Sequence, residues 1–138
     1  MKTHLDYSDR DFIKHFTDLS FPADLFNHEA HLRFAFIHID SFGKEGAVEM
    51  VTDRILKYVS NLGAEDKYHE TLTVSAVEIV NHFMQKAESK EFVELLEEYP
   101  RLQSDFKSLL YTHYSSDILN SEEAKSRYLE PDLLPFEN

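Results

Sequence analysis

The chain has 138 residues, with 14 Lys and Arg against 26 Asp and Glu, and a formal charge of −12. It has no cysteine, which excludes disulfide scaffolds, thiolate metal centres and cysteine nucleophiles. The acidic balance argues against binding a phosphate backbone, and three glycines leave no Rossmann or Walker-type phosphate loop.

Hydrophobic residues make up 42% of the chain and aromatic residues 13%, too much for a disordered segment. The length predicts one domain. Few glycines and prolines among long stretches of helix formers predict an all-α fold, a single-domain bundle of about six or seven helices. No apolar run approaches the roughly 18 residues of a membrane span. The longest candidate, 34–39, is broken by His38 and followed by Asp40. Met1 to Tyr7 lacks the apolar core of a signal peptide. The expectation is a cytoplasmic protein with neither a membrane nor a nucleic-acid partner.

In chain order, Ser8 caps a first helix over 9–19 with a Phe12, Ile13 and Phe16 stripe. Phe21-Pro22 breaks it. Asn27 caps a second helix running to about Ser41. It is apolar nearly all round (Leu32, Phe34, Phe36, Ile37, Ile39) and therefore central. Gly43 ends it in the left-handed conformation. A third helix over 46–62 is closed by Gly63, and the short loop makes helices two and three an antiparallel hairpin. A fourth covers 68–86 with a stripe of Leu72, Ala76, Ile79, Val80 and Phe83. Ser89 caps a short fifth helix. Tyr99-Pro100 interrupts the chain, and a sixth runs to about Thr112. Asn120 with Glu123 fits a capping box for one or two turns ending near Tyr128. Beyond Pro131 an extended tail packs Leu133, Leu134 and Phe136 back onto the bundle.

Eight histidines are the informative part of the composition. His4 and His15 sit in a polar N-terminal stretch and are expected to be exposed. His113 ends the sixth helix, where a cation suits the dipole. On the second helix His28, His31 and His38 fall in one narrow sector at about 100° per residue. On the fourth, His69 falls within the apolar stripe, with Thr73 one turn away. A buried imidazole needs a partner, since leaving it unsatisfied costs about 1–3 kcal/mol. Packing of helices two and four would bring His28, His31 and His69 together. Three nitrogens with an open position suit a divalent metal such as zinc, with Glu70 or Asp66 beside it. No Glu-x-x-His occurs, which argues against a ferritin-like di-iron centre.

A metal-free site is the alternative. Lys67, Tyr68, His69 and Glu70 crowd a helix start, where free N–H groups attract an anion. Tyr111, Tyr114, Ser115 and Ser116 would add hydroxyls, and His69 or Glu70 would be the general base. Against both stands the plainer reading. A core histidine is commonly satisfied by a backbone carbonyl, and Glu70 in a first turn complements the helix dipole.

Phe26-Asn27-His28-Glu29-Ala30-His31-Leu32-Arg33 resembles a Phe-x-His-x-x-His-Leu-Arg signature. Lys67-Tyr68-His69-Glu70-Thr71 resembles a Lys-Tyr-His-Glu-Thr block, and Tyr114-Ser115, Leu119, Ser121, Ala124, Arg127 and Pro131-Asp132-Leu133 complete the set. Together they resemble a family of small bacterial helical proteins of uncharacterised function. The resemblance implies a bacterial cytoplasmic helical domain and carries no activity. It directs attention to His28, His31, Lys67, Tyr68, His69 and Glu70. A tryptophan expected in the second helix of such proteins is absent here, with Phe34 or Phe36 in its place.

The sequence therefore yields named candidates: His69 and Glu70 as catalytic groups, and His28, His31 and His69 as metal ligands. Lys67, Tyr68, Thr73, Tyr114 and Arg33 are the candidate ligand-binding residues. A small molecule is the expected partner, and eleven Phe and seven Tyr are compatible with a homodimer. The rival is a protein–protein interaction or regulatory module whose histidines are structural only.

Overall fold

The computed structural model describes residues 2–136. The protein is all-α: 72% helical, without strands among the described residues, with eight helices of which five have seven residues or more. These are α1 (Asp9–Thr17), α2 (His28–Asn61), α3 (Glu70–Lys86), α4 (Phe92–Glu98), α5 (Arg101–Ser104), α6 (Phe106–His113), α7 (Ser116–Leu119) and α8 (Glu122–Ser126). Single 3-10 turns lie at His4–Asp6, Ala23–Leu25 and Glu65–Lys67. The elements gather into two compact units, 1–68 and 69–138. No described helix is long and apolar enough to cross a membrane.

In the first unit α1 starts where Ser8 accepts the Asp11 N–H at 3.1 Å. It ends in a Schellman turn. The Leu19 N–H reaches the Phe16 carbonyl at 3.2 Å and the Ser20 N–H reaches that of His15 at 2.8 Å. Leu19 holds φ 68, a left-handed conformation that costs an L-residue about 1–2 kcal/mol. The end of α2 repeats the turn with Gly63 at φ 73, its N–H on Ser60 and the Ala64 N–H on Val59.

Asn27 caps α2 as predicted, accepting the Ala30 N–H at 2.9 Å. Gly43, at φ 76 and ψ 171, leaves helical geometry and divides α2 into arms over 28–42 and 44–61. Only glycine is at ease in that region. The second arm begins at once, without the gap expected up to residue 46. The arms run antiparallel, and Arg54 on one meets His38 on the other at 2.8 Å. Between them and α1 lies an aromatic core. Phe16 stacks on Tyr58 at 4.2 Å and touches Phe34 at 4.3 Å and Phe26 at 4.8 Å. Burying each such ring contributes about 1.5–3 kcal/mol. The Tyr58 hydroxyl donates to the Phe21 carbonyl at 2.6 Å, which keeps its polar end satisfied.

In the second unit α3 begins at Glu70, two residues later than expected, because His69 is its cap. Its buried face is Thr71, Val74, Ser75, Val77, Ile79, Val80 and Asn81. Leu72, Ala76 and Phe83 of the expected stripe are only half-buried. Ser89 does not cap α4; its hydroxyl donates to Glu98 at 3.0 Å, and α4 starts at Phe92 without a side-chain cap. Ser121, not Asn120, caps α8 by accepting the Ala124 N–H at 3.1 Å, because Asn120 already ends α7. The tail is pinned through its backbone and Phe136, whose ring meets His113 at 4.3 Å. Leu133 and Leu134 stay 57% and 51% exposed, contrary to expectation.

The two special glycines make a ranked prediction. Gly43→Ala should cost about 1–3 kcal/mol, because its ψ places it outside even the left-handed helical region. Gly63→Ala should cost about 1 kcal/mol. Urea midpoints of the two variants check the order; equal losses would contradict the conformational argument.

Candidate functional site

The expected site residues fall into two groups by unit. His28, His31, Arg33, Lys67 and Tyr68 belong to the first, and His69, Glu70, Thr73 and Tyr114 to the second. Within each unit their local roles are well defined.

Arg33 is buried, 6% exposed, and holds the N-terminal segment rather than a ligand. Its guanidinium donates to the His4 carbonyl at 2.5 Å, the Tyr7 carbonyl at 2.8 Å and the Asp9 carboxylate at 2.8 Å. It also lies 4.9 Å from the Phe12 ring centre, in cation–π range. His4, expected to be exposed, is fully buried beside it. Its Nε2–H donates to Glu29 at 2.6 Å, and Nδ1 faces Arg33 Nη1 at 3.3 Å. An arginine can only donate, so Nδ1 is the acceptor and the ring is neutral. Burial holds the His4 pKa below its ordinary value, with Arg33 adding to the shift and Glu29 opposing it.

His38 is also internal. Its Nδ1–H donates to the Phe34 carbonyl at 2.7 Å and its Nε2 accepts from Arg54. Burial and then the Arg54 charge outweigh the carbonyl and lower its pKa. His28 and His31 are exposed at the start of α2. The His31 ring meets Phe26 edge-on at 4.4 Å. Desolvation, then the neighbouring His28 charge, push its pKa down.

His69 caps α3. Its Nδ1 accepts the Leu72 N–H at 3.1 Å and its Nε2–H donates to the Leu119 carbonyl at 3.0 Å. Both nitrogens serve the backbone, so this geometry leaves no lone pair for the expected metal ligand or general base. Glu70 occupies the first turn of α3, where a carboxylate complements the dipole. Thr73 donates back to the His69 carbonyl at 2.8 Å. Tyr114 is fully buried, and its hydroxyl donates to the Leu129 carbonyl at 2.7 Å while Ser75 donates to it at 3.4 Å. It is a core residue, not a ligand contact. Lys67 is exposed and Tyr68 half-buried at the end of a 3-10 turn. Among the described residues no group of three or more His, Asp or Glu is gathered to hold a metal ion.

A site the sequence reading missed lies in the second unit. A cleft of about 360 Å³ opens between α3, α5, α6 and the segment 134–136. From α3 it takes Glu78, His82 and Lys86, spaced four apart on one line, with Ile79 and Phe83 beside them. Arg101 comes from α5; Leu109, Thr112 and His113 come from α6; Leu134, Pro135 and Phe136 close it. His113 fixes that last wall, because its Nδ1–H donates to the Leu134 carbonyl at 2.7 Å and its own carbonyl accepts the Leu133 N–H at 3.0 Å. The four-residue repeat on α3 was visible in the sequence, but its partners are 15 to 58 positions further along. In the first unit a wider groove, about 870 Å³, is lined by Leu19, Met50, Leu56 and Lys57 among others.

Comparison with known protein families, curated proteins and solved structures finds no match to this chain.

Two predictions test these assignments. Arg33→Met should cost about 1–3 kcal/mol, since the part-buried Tyr7 carbonyl loses its Arg33 donor and the His4 carbonyl keeps only the Tyr7 N–H; a loss under about 1 kcal/mol in urea unfolding would show that the network is dispensable. The histidines give a signed pH dependence. Where a folded imidazole has a lowered pKa, the unfolded chain binds more protons below about pH 6.5. The stability such a neutral ring provides is therefore present above that pH and lost as the pH falls through the window down to the folded value. The destabilisation caused by His38→Asn should shrink between about pH 7 and about pH 5; a gap that grows on acidification would mean His38 stabilises as a cation.

Proposed function

We propose that the protein binds a small molecule in the cleft of the second unit, and that His4, His38 and His69 serve the fold. The observation supporting this most directly is the convergence of three helices and the 134–136 segment on a pocket that sets polar and charged side chains beside an apolar wall. Its size lies at the lower end of the roughly 300–1,000 Å³ usual for ligand sites. His82 and His113 make it a histidine-lined pocket, built from other histidines than those on α2. The interaction-module reading has one observation in its favour. Leu19 and Leu56 are 38% and 41% exposed beside Met50, and Leu19 is held in a costly backbone conformation.

A fragment mixture followed by NMR distinguishes these readings. Binders should shift the ring signals of His82, His113 and Phe136 and leave His38 unmoved. Thr112→Trp, which fills the cleft from an exposed position, should abolish those shifts with helix content unchanged. Shifts confined to Leu19, Met50 and Leu56 would favour the interaction module instead.

A further inference from the structure

We infer that the occupant of this cleft is an amphipathic organic monoanion, with a ring-sized apolar body and one anionic head group. The inference rests on the reading of the cleft as a binding site. Three features carry it.

The first is charge. In a chain of formal charge −12, this one small cleft takes both Lys86 and Arg101 into its lining. Both are exposed, so their heads reach the mouth rather than the floor. Arg101 pairs with Asp105 at 3.5 Å, but the two side chains are 57% and 48% exposed. Such surface pairs are worth little and exchange readily, so the guanidinium is able to turn to a ligand carboxylate, which it grips with two parallel hydrogen bonds.

The second is the apolar wall. Phe83, Leu109 and Phe136 face the same space. Phe83 is braced by Tyr99 at 4.9 Å and Phe136 by His113 at 4.3 Å, so the two rings are held in place. Rings fixed in this way bind a flat apolar body with little loss of side-chain freedom.

The third is polarity along the cleft. Glu78 and Lys86 lie eight residues apart on α3, about 12 Å along the helix axis. Glu78 is half-buried and its Oε1 is shut off from solvent, which places its carboxylate toward the core end. One end of the cleft is therefore negative and the other positive. A ligand with a single anionic head is oriented head outward, and a second negative charge at its far end would meet Glu78. This discriminates against dianions by repulsion as well as favouring monoanions by attraction.

The test titrates the full chain with three probes: benzoate, benzyl alcohol and inorganic phosphate, read by NMR at His82, His113 and Phe136. Benzoate should bind at least about fivefold more tightly than benzyl alcohol. That advantage should disappear in the K86Q/R101Q variant, whose exposed positions leave the fold intact by circular dichroism, while benzyl alcohol binding stays the same. Equal binding of benzyl alcohol and benzoate would overturn the anion assignment and leave the binding cleft standing. Phosphate acting as strongly as benzoate would overturn the need for an apolar body. If no probe moves any of the three residues, the cleft reading falls along with this one.

Discussion

The first unit depends on a charge placed where charge is expensive. Taking a guanidinium out of water costs several kcal/mol, and the cost is offset only when its donors are matched by acceptors. Arg33 finds two backbone carbonyls, one carboxylate and an aromatic face, all from residues 4–12. The N-terminal segment is thus fixed by its polar backbone and not by its side chains alone. His4 extends the chain of contacts to Glu29, on α2 one turn before Arg33. Order in residues 4–12 and order in the first turns of α2 are consequently coupled through the same contacts. The aromatic cluster of Phe16, Phe34 and Tyr58 packs beneath this clamp, which makes α1 a lid on a core already sealed at its edge.

Local rules recovered most of the helix starts and stops. Ser8, Asn27, Gly43 and Gly63 were legible because each acts through its own neighbours: a side-chain oxygen within reach of an N–H, or a missing Cβ where φ is positive. The errors have a common physical origin. Asn120 and Ser121 are both good caps, and only the preceding turn of α7 decides between them. His69 fits the apolar stripe of α3 when the helix is extended two residues too far. Periodicity alone does not distinguish a cap from a first-turn residue, and an imidazole is an uncommon cap. Arg33 and Tyr114 look like site residues because polar groups among apolar ones are often functional. Apart from the Asp9 carboxylate, the acceptors they bond are backbone carbonyls, of His4, Tyr7 and Leu129, which no sequence pattern announces. The cleft was hidden for the same reason. Five of its twelve lining residues recur at four-residue spacing on α3, and the rest arrive from far along the chain.

The histidines illustrate how one residue type does several jobs. His4 connects a carboxylate to a guanidinium, His38 joins two arms of a hairpin, and His69 ends a helix while bonding across to Leu119. Each uses one nitrogen as donor and the other as acceptor. No other neutral side chain of that size offers a donor and an acceptor on opposite edges of a rigid ring. A histidine-rich composition is therefore as good a sign of backbone-to-backbone bridging as of catalysis. His82 and His113, which line the cleft, were the less conspicuous pair in the sequence.

The partners of His38 and His69 force opposite proton positions. A carbonyl can only accept and a guanidinium only donate, so His38 carries its proton on Nδ1; the Leu72 N–H and the Leu119 carbonyl place that of His69 on Nε2. Each unit thus contains a ring whose nitrogen frequencies report its own integrity, and the two reporters have distinct spectral signatures. Loss of one pattern while the other persists would mark separate melting of a unit. The chain carries, without any added label, a two-channel record of its own cooperativity.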